Sequence, residues 1–156
     1  MLLNDFFQNA YVTHSLEFGV NAIREKHGIE KWVYFEPKME VYTAREGHGP
    51  CHVKVALGWA GDLQVEIIEP ISGHIGHYVD YLPADRNDKS LRLHHICMRV
   101  MDWDKARAEI ERKKWPVAYE GGVPGVKFVY LDARDSMGHY LEYLWASDEM
   151  WKAMRG

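Results

Sequence analysis

The order in which strand-like and helix-like segments follow one another constrains this chain more than any single motif. FFQNAYVT reads as a strand. It leads into SLEFGVNAIREKHG, where Ser15 is placed to cap a helix, Gly28 to end it, and Leu16, Val20 and Ile23 recur at helical spacing. WVYF, closed by Pro37, then CHVKVALGWAG and LQVEIIEP, separated by Gly61-Asp62, read as three strands. Residues 71–92 break the rhythm with glycines, Pro83 and a polar cluster, and read as a connection holding one short helical turn. After it the order returns. LHHICMRV is a strand, MDWDKARAEIERKKW a helix with Asp102 as its cap, and PVAYE, KFVYLDA and HYLEYLWA are strands divided by GGVPG and DSMG turns. SDEMWKAMRG closes the chain as an amphipathic helix.

This is one strand-helix-three-strand module written twice, although the halves share little literal sequence. The expected fold is α+β, with two tandem βαβββ modules forming a curved mixed sheet around a central cavity. The modules span 6–72 and 93–146, with the connection at 73–92 and the tail helix at 147–156, within one structural domain. A ferredoxin-like domain with extra strands fits the same alternation nearly as well.

At 156 residues the chain is long enough to bury a substantial core without disulfides, and 47% hydrophobic with 27% charged residues is an ordinary globular balance. A net charge of -4, with both signs mixed along the chain, excludes the basic stripe of a nucleic-acid binder. MLLNDFFQNA lacks a basic start and a long apolar stretch, and no apolar run approaches the ~18 residues of a membrane span. A soluble, cytoplasmic protein is expected. Cys51 and Cys97 form no metal or redox spacing.

The chemistry-bearing residues lie in the strands. Glutamate is seldom buried without a partner, yet Glu66 in LQVEIIEP and Glu142 in HYLEYLWA each sit inside an apolar strand, at matching places in the last strand of their modules. Gln8 and His95 correspond in the same way in the first strands. In LHHICMRV, alternation puts His95, Cys97 and Arg99 on one face and His94, Ile96, Met98 and Val100 on the other. If the modules pack about a pseudo-twofold axis, Gln8, Glu66, His95 and Glu142 converge in one cavity. Two carboxylates, an imidazole and an amide oxygen suit a divalent Zn, Mn, Ni or Co ion.

QNAYVTHSLE, LQVEIIEP, LHHICMRVMDWDKA and GHYLEYL together resemble the vicinal oxygen chelate superfamily of glyoxalases, bleomycin resistance proteins and dioxygenases, over about residues 6–146. The likeness is to its glyoxalase I or methylmalonyl-CoA epimerase-like branch. The resemblance implies Gln8, Glu66, His95 and Glu142 as ligands of one metal ion, a set similar to that of eukaryotic zinc-dependent glyoxalase I, although glutamine stands where histidine is commonest. It implies a lyase, isomerase or epimerase that moves a proton next to a carbonyl through a metal-stabilised enolate, with Glu142 and Glu66 as acid and base. Arg99, His77 and Tyr78 are the expected substrate contacts, and the substrate is a small carbonyl compound. A homodimer is expected. Two alternatives stand beside this reading: a metal-free resistance-type protein that sequesters a small molecule, and an Fe(II) ring-cleaving dioxygenase. The second normally takes two histidines, and these ligand positions hold one.

Overall fold

The computed structural model describes residues 5–156; residues 1–4 of the MLLNDFFQNA stretch lie outside the described residues. Strand β1 (Phe6–Val12) leads into helix α1 (Leu16–His27). The Ser15 side chain accepts the Phe18 backbone N–H, and Gly28 ends the helix in the left-handed conformation at φ 73°. Strands β2 (Trp32–Phe35), β3 (Lys38–Thr43), β4 (Gly47–Ala60) and β5 (Leu63–Gly73) complete the first half. Helix α2 (Gly76–Val79) is the helical turn of the connection. Strand β6 (Arg92–Arg99), helix α3 (Trp103–Lys113) and strands β7 (Val117–Val123), β8 (Val126–Asp132) and β9 (Tyr140–Ala146) follow, with a short helix α4 (Arg134–Met137) between the last two strands. Helix α5 (Asp148–Arg155), capped by Ser147, ends the chain.

Several local details differ from the sequence reading: β4 begins at Gly47 rather than Cys51, and β5 runs on through Ile71 to Gly73, paired with Cys51 and His52, so the connection starts after it. No strand was expected over 38–43, yet β3 pairs with the same edge of β4 that β2 uses, so the two are one strand broken at Glu36-Pro37. Proline has no N–H to give the ladder, which explains the break. β7 runs through Gly121 and Gly122 as far as Val123, leaving only Pro124-Gly125 as a turn. The segment at Arg134–Met137 is a helical turn rather than a simple reversal.

The two halves are wired alike. β1 lies parallel to β5, and β5 pairs antiparallel with β4. Correspondingly β6 lies parallel to β9, and β9 pairs antiparallel with β8. The antiparallel β1–β6 ladder joins the halves at the first strands, while β3 meets β7 through Tyr42↔Glu120 and Thr43↔Tyr119. Because β4 also pairs with β5, the sheet closes into a ring, β4-β3-β7-β8-β9-β6-β1-β5, with β2 as an extension on the edge of β4. That is the curved mixed sheet the repeated order implied.

Alternation along each strand then decides what faces inward. Val20 of α1 covers Ala56 and Ile67 on the outside of the first half, and Ile110 of α3 covers Met98, Val129, Leu131 and Leu141 on the outside of the second. Ile68, Val53, Phe128 and Tyr130 point to the inside of the ring. Phe7, Leu57, Cys97 and Leu144 form a further cluster with Met154 of α5, flanked by Trp59 and Trp151. Cys51 and Cys97 are both buried and free.

Candidate metal centre and cavity

The closest ion-type cluster among the described residues is Glu66, His95 and Glu142, whose ligand atoms all lie within 4.8 Å of one another. Glu66 comes from β5, His95 from β6 and Glu142 from β9, so both halves contribute. His95 Nε2 stands 3.0 Å from Glu142 Oε2 and 3.3 Å from Glu66 Oε2, and the His95 side chain is wholly buried. The register shows why the three meet. Gln8 is opposite Gln64 in the parallel β1–β5 ladder, and Glu66 lies two residues beyond; His95 is opposite Tyr140 in the parallel β6–β9 ladder, and Glu142 lies two residues beyond. Gln8 is therefore to Glu66 as His95 is to Glu142.

His94 departs from simple alternation. In the β1–β6 ladder Ala10 pairs with His95 and Tyr11 with Leu93, which leaves His94 as the extra residue of a β-bulge. A bulge lets two successive side chains turn toward one side. His94 consequently lies inside, among Tyr78, Tyr130 and Tyr140, rather than on the apolar outer face with Ile96 and Met98.

This placement sets the tautomers. His94 Nε2 is 3.1 Å from the His77 carbonyl oxygen, which can only accept, so Nε2 carries the proton. With burial holding His94 uncharged, its Nδ1 is an acceptor, and His95 Nδ1–H, 2.9 Å away, donates to it. The lone pair or second proton of His95 is thereby left on Nε2, aimed at the carboxylates. Burial opposes a charged imidazole there, but Glu142 and Glu66 together overcome it and raise the His95 pKa to about 9. Burial pushes the Glu66 carboxyl above the ordinary range, against the pull of His95.

The residues fit a divalent ion. Among the described residues, His95 Nε2 is buried within reach of two carboxylates yet has no well-formed hydrogen bond, and Gln8 Oε1 is buried with no hydrogen-bond partner. Tetrahedral ligands ~2 Å from zinc stand roughly 3.4 Å apart, close to the separations observed. Glu66, His95 and Glu142 are thus brought together; Gln8 donates from Nε2 to Oε1 of Gln64, the residue opposite it, at 2.6 Å.

A cavity of about 360 Å³ opens onto Glu66 and Glu142. Its walls include Val55 and Leu57 of β4, Phe128 and Tyr130 of β8, and Met150 and Met154 of α5. Of the expected substrate contacts, Tyr78 lines the cavity, its hydroxyl 3.0 Å from that of Tyr130. His77 does not line it: its ring packs 4.0 Å from both Tyr78 and Tyr119, and neither ring nitrogen has a hydrogen-bond partner. Burial pulls its pKa down to about 3. Arg99 does not line it either: its guanidinium lies over the Trp151 ring at 3.9 Å.

Gln64, the contributions of α5 and the inward turn of His94 escaped sequence reading. The first had a signal in strand alternation, which puts Gln64 on the face of Glu66 in LQVEIIEP; a bulge leaves no pattern in a single sequence.

Residues 7–130 match the family model described as the glyoxalase/bleomycin resistance protein/dioxygenase superfamily. A search of curated proteins finds no match. Among solved structures, a methylmalonyl-CoA epimerase in complex with methylmalonyl-CoA and NH4+ is similar at 20% identity and a TM-score of 0.62, covering 92% of this chain and 95% of that one. A Streptomyces coelicolor methylmalonyl-CoA epimerase variant bound to 2-nitronate-propionyl-CoA gives 20% identity and 0.63 over the same shares of the two chains. The Mycobacterium tuberculosis methylmalonyl-CoA epimerase gives 12% identity and 0.62, covering 97% of this chain and 93% of that one. At these identities the likeness is one of fold.

Proposed function

Because the chain belongs to the glyoxalase/bleomycin resistance protein/dioxygenase superfamily, we propose that it is a divalent-metal isomerase or epimerase that moves a proton on the carbon beside a carbonyl of a small molecule. The observation that carries this reading is the pair of carboxylates, one from each half, flanking a single buried imidazole at 3.0 and 3.3 Å. When bound, the ion supplies Lewis acidity to a substrate carbonyl oxygen. His95, fixed by His94, offers Nε2 as a ligand, and Gln8 offers Oε1. Glu142 or Glu66 takes the proton from carbon, and the other returns one; two acids on symmetry-related strands allow delivery to the opposite face. The apolar walls keep bulk water from the exposed carbanion.

A single histidine among the three clustered residues gives the iron dioxygenase alternative less support. The metal-free binding reading draws on the same short contacts, since a charged His95 would satisfy both carboxylates. A homodimer and a cytoplasmic location belong to the proposal too; no described helix is long and apolar enough to cross a membrane.

Incubation with 2-oxo and acyl-thioester compounds in deuterium oxide tests the activity. We expect metal-dependent loss of the α-proton NMR signal, slowed at least ~100-fold in Glu66→Gln and in Glu142→Gln. Exchange that ignores both substitutions, or none with any added divalent ion, would reject the catalytic reading.

A further inference from the structure

The cavity wall carries information about the substrate's charge. Among the described residues its ionisable side chains are the acids Glu36, Glu66 and Glu142 and the phenols Tyr78 and Tyr130, and no lysine, arginine or histidine lines it. The remaining wall is aliphatic, aromatic and thioether. Nearby cations are turned elsewhere. Arg99, on the same side of β6 as His95, stacks on Trp151, and Arg155 of α5 lies over Trp59 at 4.5 Å. At the rim, Glu36 is paired with His52 at 2.8 Å.

The charge balance follows from these residues. The carboxylates of Glu66 and Glu142 cancel the charge of one divalent ion. When a proton passes from an uncharged substrate to either glutamate, the substrate gains one negative charge and the glutamate loses one, so the centre stays neutral throughout. A substrate carboxylate or phosphate adds a negative charge that no wall residue offsets, in a space where an unpaired charge is costly.

We propose that the substrate is an uncharged, apolar carbonyl compound whose body fills the cavity, and that carboxylate-bearing acyl groups, malonyl types included, are selected against. This rests on the metal-dependent reading of the site. A volume of about 360 Å³ stands near the lower end of the ~300–1,000 Å³ typical of small-molecule pockets, which favours a compact body such as one substituted aromatic ring.

Phenylpyruvate and its uncharged methyl ester make a matched pair of probes. Calorimetric titration of the metal-loaded protein should give at least tenfold tighter binding of the ester. Met39→Lys places a cation on the half-buried part of the wall and should move the ratio at least threefold toward the acid, with thermal unfolding confirming that the variant is folded. Acid binding equal to or tighter than ester binding in the unaltered protein overturns the proposal, as does binding of neither. Metal uptake with a preference for the acid defeats this inference and leaves the metal reading standing. A protein that takes up no metal loses the metal reading and, with it, the charge balance on which this inference stands, whichever probe binds more tightly.

Discussion

His94 and His95 show how one extra residue in a strand sets the chemistry of its neighbour. His95 points Nε2 at Glu66 and Glu142 because Nδ1 is held by His94, which is held in turn by the His77 carbonyl. Such outer partners commonly matter ~10–100-fold in metal affinity. We expect His94→Phe to keep the ring packing against Tyr78 and Tyr140 but weaken metal binding by about that factor in competition with a chromogenic chelator. His94→Gln, whose side-chain oxygen can accept, should recover part of the loss. Unchanged affinity in His94→Phe would remove His94 from the site.

His77 titrates in the opposite sense to His95. It is buried between Tyr78 and Tyr119, where burial first, and then the charges of His95 and Arg45, hold it neutral down to about pH 3, with Asp80 pulling the other way. An unfolded histidine takes up its proton near pH 6.5. Stability from this group is thus complete above that pH and is lost as pH falls toward 3, by roughly 1–2 kcal/mol at pH 5. Urea unfolding at pH 7.5 and pH 5 should show a smaller acid loss in His77→Phe than in the unaltered chain; equal losses would place the acid sensitivity elsewhere.

At the level of elements, much was legible where local signals and pattern agree. Ser15, Gly28 and Asp102 mark helix ends by the bonds their side chains or backbones make, and those bonds form as expected. β3 was missed although Met39 and Val41 alternate with Glu40 and Tyr42, because Pro37 and the glycines at 47 and 49 look like loop punctuation while β4, the strand that pairs with it, is far longer than its apolar run. The β6 bulge, and with it the facing of His94, depends on a ladder with β1 more than 80 residues away. Glu66, His95 and Glu142 were legible because each breaks an apolar strand at matching positions; the facing of Tyr130 was not.

Glycine offers a test of this packing. Gly73 ends β5 at φ 86°, and a Cβ there would lie 2.1 Å from the Pro50 carbonyl oxygen. Gly138 has a similar φ of 79° with open space around it. Gly73→Ala should cost about 2–4 kcal/mol in urea unfolding, and Gly138→Ala about 1 kcal/mol. Equal costs would mean that the β4–β5 junction yields where the close approach says it cannot.

For the whole molecule, duplication accounts for both the ring and its contents. The parallel β1–β5 and β6–β9 ladders place one glutamate two residues past the position facing Gln8 or His95, and the antiparallel β1–β6 seam brings the two sets together. The cavity is completed by Met150 and Met154 from α5, outside both repeats, so the tail helix shapes what the duplicated strands can hold. The central claim is that these strands build one metal site per chain. Metal analysis of protein purified without chelator or tag-derived metal, beside Glu142→Gln, tests it directly: we expect close to one divalent ion per chain in the unaltered protein and a large loss in the variant. No ion in the unaltered protein, and no uptake when zinc, manganese, nickel or cobalt is added, would contradict it.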